Sequence, residues 1–352
     1  MRAMDEETAG PDRGPRVGSR VVVRHRLHRP DALTGATLTD TVGDLVTSDA
    51  DALVVRTRRG EVRVPRALVT VVKEVPPRPS RRGAPHRALS VEDLQRVMVG
   101  AWPAMETEPL GDWLLRASRG FTQRANSVVT TGSPGMPLPS ALDVVERWYA
   151  ARGLAPNLTL AGPVGFDPAS DPLGAEALRR GWAGRVPTAT LTAPTRLLAD
   201  HPPRRPGTQA GAVGAPQEVV AVGGELSEAW LAAYRRYRPV DDVAARAILT
   251  GSPEQVFATA TDAGGRVVGI GRLGLAAAWG GIAAMWVDPA LRRRGLASDL
   301  LTALARAAAT RAIASLHLQA DTDNAAALRF YERRGFERHH DYVNLSGPPP
   351  GR

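Results

Sequence analysis

From Val17 to Val75 short β-branched runs alternate with turn residues, at Arg20–Arg24, Val42–Val46, Ala52–Thr57, Glu61–Val64 and Leu68–Val72. Such alternation between turn formers is the pattern of half-buried strands. Asp49-Ala50-Asp51 and Arg58-Arg59-Gly60 stand where hairpin turns belong, and the Val64-Pro65-Arg66 break resembles the tight turn before the last strand of an SH3-like barrel. Residues 14–75 are therefore expected to form a small all-β SH3-like barrel after a disordered tail, 1–13.

Pro76–Arg87 combine Pro, Gly and Arg without an apolar period, so 76–88 reads as an extended basic linker. A second such stretch, His201–Pro216, centres a linker placed at 196–217. The remainder mixes helical periods, as in Ala141–Arg152 and Ser298–Arg311, with strands such as Asn157–Leu160 and Ser315–Leu318. This gives two α/β units, 89–195 and 218–346, with a tail at 347–352.

The two units align with each other. Leu138, Leu142, Leu158 and Leu160 meet Leu296, Leu300, Leu316 and Leu318 at one shift of 158 residues, and after a four-residue slip Gly181-Trp182 falls on Gly335-Phe336. A register kept across loop, helix and strand predicts two copies of one fold.

Composition narrows the chemistry. The 352 residues contain no cysteine, which removes disulfides, thiolate metal sites and thiol catalysis and fits a reducing cytoplasm. Lys plus Arg exceed Asp plus Glu by 45 to 36, nearly all of the excess being Arg, so the surface favours anionic partners. No window approaches about 18 uninterrupted apolar residues, so a soluble protein without membrane contact is expected.

Gly281–Val287, GIAAMWV, reads as a buried strand that runs through Asp288-Pro289 into Arg292-Arg293-Arg294-Gly295-Leu296-Ala297 and a long helix. A helix start offers unpaired N–H groups and the positive end of the macrodipole, and a glycine lets the main chain approach a ligand closely. Strand, loop and helix in this order predict a phosphate cradle. On these residues, with Asn324 and the Phe330-Tyr331-Glu332-Arg333-Arg334-Gly335-Phe336 segment downstream, the chain resembles the GCN5-related N-acetyltransferases.

The resemblance implies a mixed, splayed sheet with flanking helices, in two tandem copies, and acetyl-CoA as cosubstrate with no metal. It implies that Met285, Trp286 and Val287 pair through their backbone with the pantetheine arm, and that Arg292, Arg293, Arg294, Gly295, Leu296, Ala297 and Ser298 surround the pyrophosphate. It further implies that Asn324 contacts the coenzyme and that Tyr331 donates a proton to the departing thiolate. Asn324 has the bland alternative of a helix cap.

Thioester chemistry suits these residue types. A thiol of pKa about 8.5 leaves with no more than help from a phenol, whereas an alkyl amine of pKa about 10.4 is deprotonated in only roughly one part in 2,500 at neutral pH. Many members of the family place a carboxylate on the strand before the phosphate loop. Here that strand offers Ala283, Ala284 and Met285, and the nearby candidates in sequence are Asp321, Asp323, His339, His340 and Asp341, the two histidines being expected on a surface loop.

At the shift of 158, Gly295 and Ala297 correspond to Pro137 and Pro139. Proline has no N–H to give, so the first copy is expected to be degenerate and to shape the acceptor cleft, with the polar segment Gly120–Ser127 facing it. The whole arrangement resembles an actinobacterial tandem family labelled either N-acetylglutamate synthase-like or histone acetyltransferase-like. The expected acceptor is an amine, as a protein lysine, an amino acid or a small aminosugar. A non-enzymatic reading remains beside it, in which the Arg-rich barrel binds nucleic acid and the transferase fold serves as a coenzyme sensor.

Overall fold

The computed structural model describes residue 15 and residues 17–27, 37–57, 60–75, 84–202 and 218–349. The expected tail 1–13, the turn residues Arg58 and Arg59, and most of both linkers lie outside the described residues. The chain divides into two compact units, Met1–Pro77 and Arg78–Arg352.

The first unit is one antiparallel sheet of β1 (Arg20–Arg26), β2 (Leu38–Ser48), β3 (Ala52–Thr57), β4 (Gly60–Pro65) and β5 (Val69–Glu74), in the order β4-β3-β2-β1-β5. Alternate residues Val21, Val23, Leu45, Leu53, Val55 and Val64 form its core, as the period of two requires. Asp49 accepts hydrogen bonds from the N–H groups of Asp51 and Ala52, which fixes the β2–β3 turn.

The second unit runs α1 (Val91–Ala101), β6 (Glu106–Leu110), β7 (Trp113–Ala117), β8 (Val128–Val129), α2 (Leu138–Ala150), β9 (Asn157–Gly162), α3 (Pro172–Arg179), β10 (Ala183–Gly184), β11 (Thr188–Pro194) and α4 (Thr195–Ala199). It continues with β12 (Val219–Gly223), α5 (Glu228–Arg235), α6 (Asp242–Thr250), β13 (Glu254–Thr261), β14 (Val267–Ala276), β15 (Trp279–Val287), α7 (Leu296–Ala309), β16 (Ser315–Asp321), α8 (Ala325–Arg333) and β17 (Glu337–Ser346).

All twelve strands join one mixed sheet, β12-β13-β14-β15-β16-β11-β17-β9-β8-β7-β6, with β10 beside β17. The pairings are antiparallel except β8 with β9 and β15 with β16. A helix follows the inner strand of each parallel pair's partner in both halves: α2 links β8 to β9, and α7 links β15 to β16. The last strands are exchanged, since β11 pairs with β16 and β17 pairs with β9. No boundary near residue 195 divides the sheet, and the layers on its two sides form around it.

The hydrophobic period explains the packing of α7: Leu296, Leu300, Leu301, Leu304, Ala305 and Ala308 lie on one buried face over β13–β16. Each leucine so buried contributes about 1.5–3 kcal/mol before entropy is counted. Two expectations fail in detail. Residues 196–199, expected to open a linker, belong to α4, whose Leu198 and Ala199 are buried against the α7 layer. His339 and His340, expected on a surface loop, lie on β17, where pairing with β11 leaves His340 0% exposed.

Candidate functional site

The site grows from a divergence of two strands. Parallel pairing of β15 with β16 covers only Trp279↔Ser315 to Ile282↔Leu318, after which β16 continues alone along β11 to Asp321. At the same point β15 bulges: Arg272 pairs with Ala283 and Ile270 with Trp286, so Ala284 and Met285 together face Gly271. Ala284 has φ of +53°, and a Cβ on Gly271 would meet Met285 Sδ at 2.6 Å. The glycine therefore admits the Met285 side chain under the bulge, and the sheet opens into a V.

The V leads to a cleft of about 550 Å³ between β15, the loop before α7, and α8. Asp288 caps the turn at Pro289–Leu291 through the N–H of Ala290. Arg293 takes φ of +62° and Gly295 φ of +87°, and α7 starts at Leu296 with no side chain capping it. By contrast α1, α3, α5, α6 and α8 are capped by Ser90, Asp171, Ser227, Asp241 and Asn324. The bare N-terminus of α7 thus turns its first N–H groups and dipole toward the cleft.

Met285, Trp286, Val287, Arg292, Arg293, Gly295, Leu296, Ala297, Ser298 and Tyr331 all line this cleft. Arg294 and Asn324 do not; Asn324 caps α8 by accepting from the Ala327 N–H at 3.1 Å. Motif spacing alone does not single out Ala326, Ala327 and Phe330, which also line the cleft and share one α8 face with Tyr331 by their spacing of three to four. Arg329 and Arg333 line it as well. With Arg292 and Arg293 they make four arginines and no carboxylate in the lining among the described residues, a wall suited to an anionic ligand.

Tyr331 packs edge-on against Phe330 and Phe336, at ring separations of 5.0 and 5.7 Å, and burial pushes its phenol up to about 12. It is a proton donor at every physiological pH. Behind Trp286, Tyr237 stacks at 6.1 Å and 7°.

None of Asp321, Asp323, His339, His340 and Asp341 lines the cleft. Asp341 is held by Arg338 and the Gly165 N–H, and Asp321 accepts from Thr188 Oγ1. Burial pushes the His340 imidazole down to about 3, which keeps it neutral.

A smaller cleft, about 300 Å³, opens beside the start of α2, lined by Val129, Leu138, Thr159 and Leu160. There α2 starts at Leu138 as α7 does at Leu296, but Pro137 is its N-cap and Pro139 its second residue. Glu92 and Asp171 also line it. Lost donors and added carboxylates both disfavour an anion.

Comparison with known proteins agrees with this geometry. Residues 90–344 match the family model "Probable histone acetyltransferase Rv0428c C-terminal", and residues 15–73 match "Rv0428c N-terminal Sm-like domain". The small all-β unit thus matches an Sm-like domain, where the sequence pattern had suggested an SH3-like barrel.

A curated relative, "Probable histone acetyltransferase Rv0428c" of Mycobacterium tuberculosis, is 33% identical over 146 residues, 42% of this chain and 45% of that protein, so the match spans less than half of the relative's length. Among solved structures, a GCN5-related N-acetyltransferase from Kribbella flavida superposes with TM-score 0.51 and 16% identity over 73% of this chain and 95% of that one. A tandem GNAT protein from the clavulanic acid biosynthesis pathway gives TM-score 0.51 and 15% identity, over 77% and 91%. These likenesses establish the fold of the second unit as that of the GCN5-related N-acetyltransferases. The chain belongs to the family described as "Probable histone acetyltransferase Rv0428c C-terminal", whose model spans the sheet from β6 through β17 except for Leu345 and Ser346.

Proposed function

We propose that the protein is an acetyl-CoA-dependent N-acetyltransferase that moves an acetyl group to an amine by direct attack on the thioester. The observation that carries this reading is the cleft itself, in which a bulged strand end, an uncapped helix N-terminus and a protonated phenol line one channel. In it the backbone of Met285, Trp286 and Val287 pairs with the pantetheine amides as an added strand. The N–H groups around Gly295 to Ser298, with Arg292 and Arg293 about them and Arg294 outside the lining, hold the pyrophosphate. Asn324 acts through the start of α8 rather than by lining the cleft.

The amine nitrogen attacks the thioester carbonyl carbon, the tetrahedral adduct collapses, and the C–S bond breaks. Tyr331 donates a hydrogen bond to the departing sulfur. Full transfer from a phenol near 12 to a thiolate near 8.5 is uphill by a few kcal/mol, so the phenol stabilises the thiolate and the proton lost by the amine reaches it through solvent.

The proposal includes two tandem copies of the fold, supported by the repeated strand and helix order and the exchange of β11 and β17. The first copy, with Pro137 and Pro139 at its helix start, does not hold the coenzyme. Calorimetric titration with acetyl-CoA tests the reading. One site per chain, lost in Gly295→Glu, is expected; no binding to the folded wild type overturns it.

A further inference from the structure

The segment between β7 and β8 is built to hold one side chain. Arg119 and Thr122 have φ of +53° and +60°, and Gly120 +77°. Asn126, 8% exposed, secures this strained path with all four of its hydrogen bonds: Oδ1 accepts from the Ser118 and Gly120 N–H groups, and Nδ2 donates to the Phe121 and Thr122 carbonyls. Trp102 Nε1 donates to Thr122 Oγ1 at 3.2 Å.

The side chain so presented is Arg124. Its guanidinium lies over the Trp102 ring, 4.8 Å from the centroid, and donates to Gln319 Oε1. Among the described residues no carboxylate pairs with it, whereas its neighbour Arg119 has Asp241. The other buried charges near it are also cations: Arg116 and Arg272 each lie close enough to feel its charge. A half-buried arginine without a counter-ion is an unfilled anion partner.

Its location ties it to the reaction. Gln319 is the first residue of β16 beyond the last β15–β16 pair, Ile282↔Leu318, and its side chain lies on the sheet face opposite Leu316 and Leu318, which pack under α7. Tyr237 lies within the electrostatic reach of both Arg124 and Tyr331 and stacks on Trp286 of the cleft. A cavity of about 20 Å³ lined by Arg116, Arg124, Gln319 and Tyr342 adjoins, room for one water-sized polar group.

We infer that Arg124 is the carboxylate-binding residue of the acceptor site, and that the acceptor is a small amine bearing a carboxylate, of the amino-acid class. This rests on the coenzyme reading proposed above. A lysine-rich protein segment would instead bring cations to a face that already carries Arg124 and Arg238.

The test uses the full chain with acetyl-CoA and two acceptor panels, L-amino acids and their carboxamides. Wild type acetylates members of the acid panel in preference to the matching amides. Arg124→Gln raises KM for the preferred acid about 10- to 100-fold, leaves the amide unchanged and leaves acetyl-CoA affinity intact, while Arg124→Lys restores part of the preference. Equal use of acid and amide by wild type, a preference that survives Arg124→Gln, or acetyl-CoA binding with neither panel acetylated each overturns the acceptor class. Absence of acetyl-CoA binding overturns the underlying reading instead.

Discussion

Arg272 on β14 donates through Nη1 to the main-chain carbonyl of Ala101, the last residue of α1, at 2.8 Å. The same guanidinium donates to the Leu249 carbonyl near the end of α6 and to Ser252 Oγ, each at 2.7 Å. A fully buried cation is thus balanced by the negative ends of two helices rather than by a carboxylate. The contact also joins the first helix of the unit to the strand beside the bulge.

Truncation of this arginine removes the donor to the buried Leu249 carbonyl and to Ser252 Oγ, and leaves the Ala101 carbonyl with Ser252 Oγ as its remaining side-chain donor. Arg272→Ala is expected to lower unfolding free energy by about 3–5 kcal/mol, read as a fall in the urea midpoint at unchanged slope. An unshifted midpoint would show that solvent or neighbours satisfy those groups.

Gly295 combines a left-handed φ of +87° with the uncapped start of α7. Gly295→Ala, which adds only strain, is expected to weaken acetyl-CoA modestly. Gly295→Glu, which adds a negative charge at the cradle, is expected to weaken it at least about 100-fold by calorimetry. Equal effects of the two would mean that backbone conformation, not access to the N–H groups, governs binding.

Tyr331→Phe removes a hydrogen-bond donor to the sulfur without emptying its aromatic surroundings, so kcat should fall about 100-fold with little change in the acetyl-CoA dissociation constant. Because its phenol is pushed up to about 12, it stays protonated below that value, and Tyr331 supplies no basic limb to the rate profile between pH 7 and 10. With no carboxylate lining the cleft, kcat/KM in both proteins should climb about tenfold per pH unit as the amine deprotonates. A plateau near neutrality would reveal a base.

His317 and His340 are both pushed down to about 3 by burial, against about 6.5 in an unfolded chain. Between those values the unfolded state binds the extra protons, so the stability they confer as neutral groups is present above about pH 6.5 and is lost as pH falls toward 3. Each contributes at most about 1.4 kcal/mol per pH unit. Among the described residues neither ring nitrogen of His317 has a hydrogen-bond partner, so His317→Leu is expected to hold or raise stability at pH 7 and to flatten the acid slope, measured as urea midpoints from pH 7.5 to 5. An unchanged slope would assign the acid sensitivity elsewhere.

The local signals in the sequence were enough for several of the elements, though not for α4 or β17. Alternating valines placed the five strands of the first unit, the leucines at 296, 300 and 304 placed α7, and Gly295 placed the start of that helix, because period and turn chemistry are properties of short segments. That Leu138 and Leu296 each open a helix was legible for the same reason.

Which strands become neighbours is not local. The exchange that puts β11 beside β16 and β17 beside β9 buries His340 and joins both halves in one sheet, and nothing within either strand announces it. Equally, Arg124 and Gln319 are 195 residues apart, and only folding brings a strained loop against the diverging end of β16. Backbone conformation follows from neighbours along the chain, whereas partners for a buried charge follow from the packing of the whole unit.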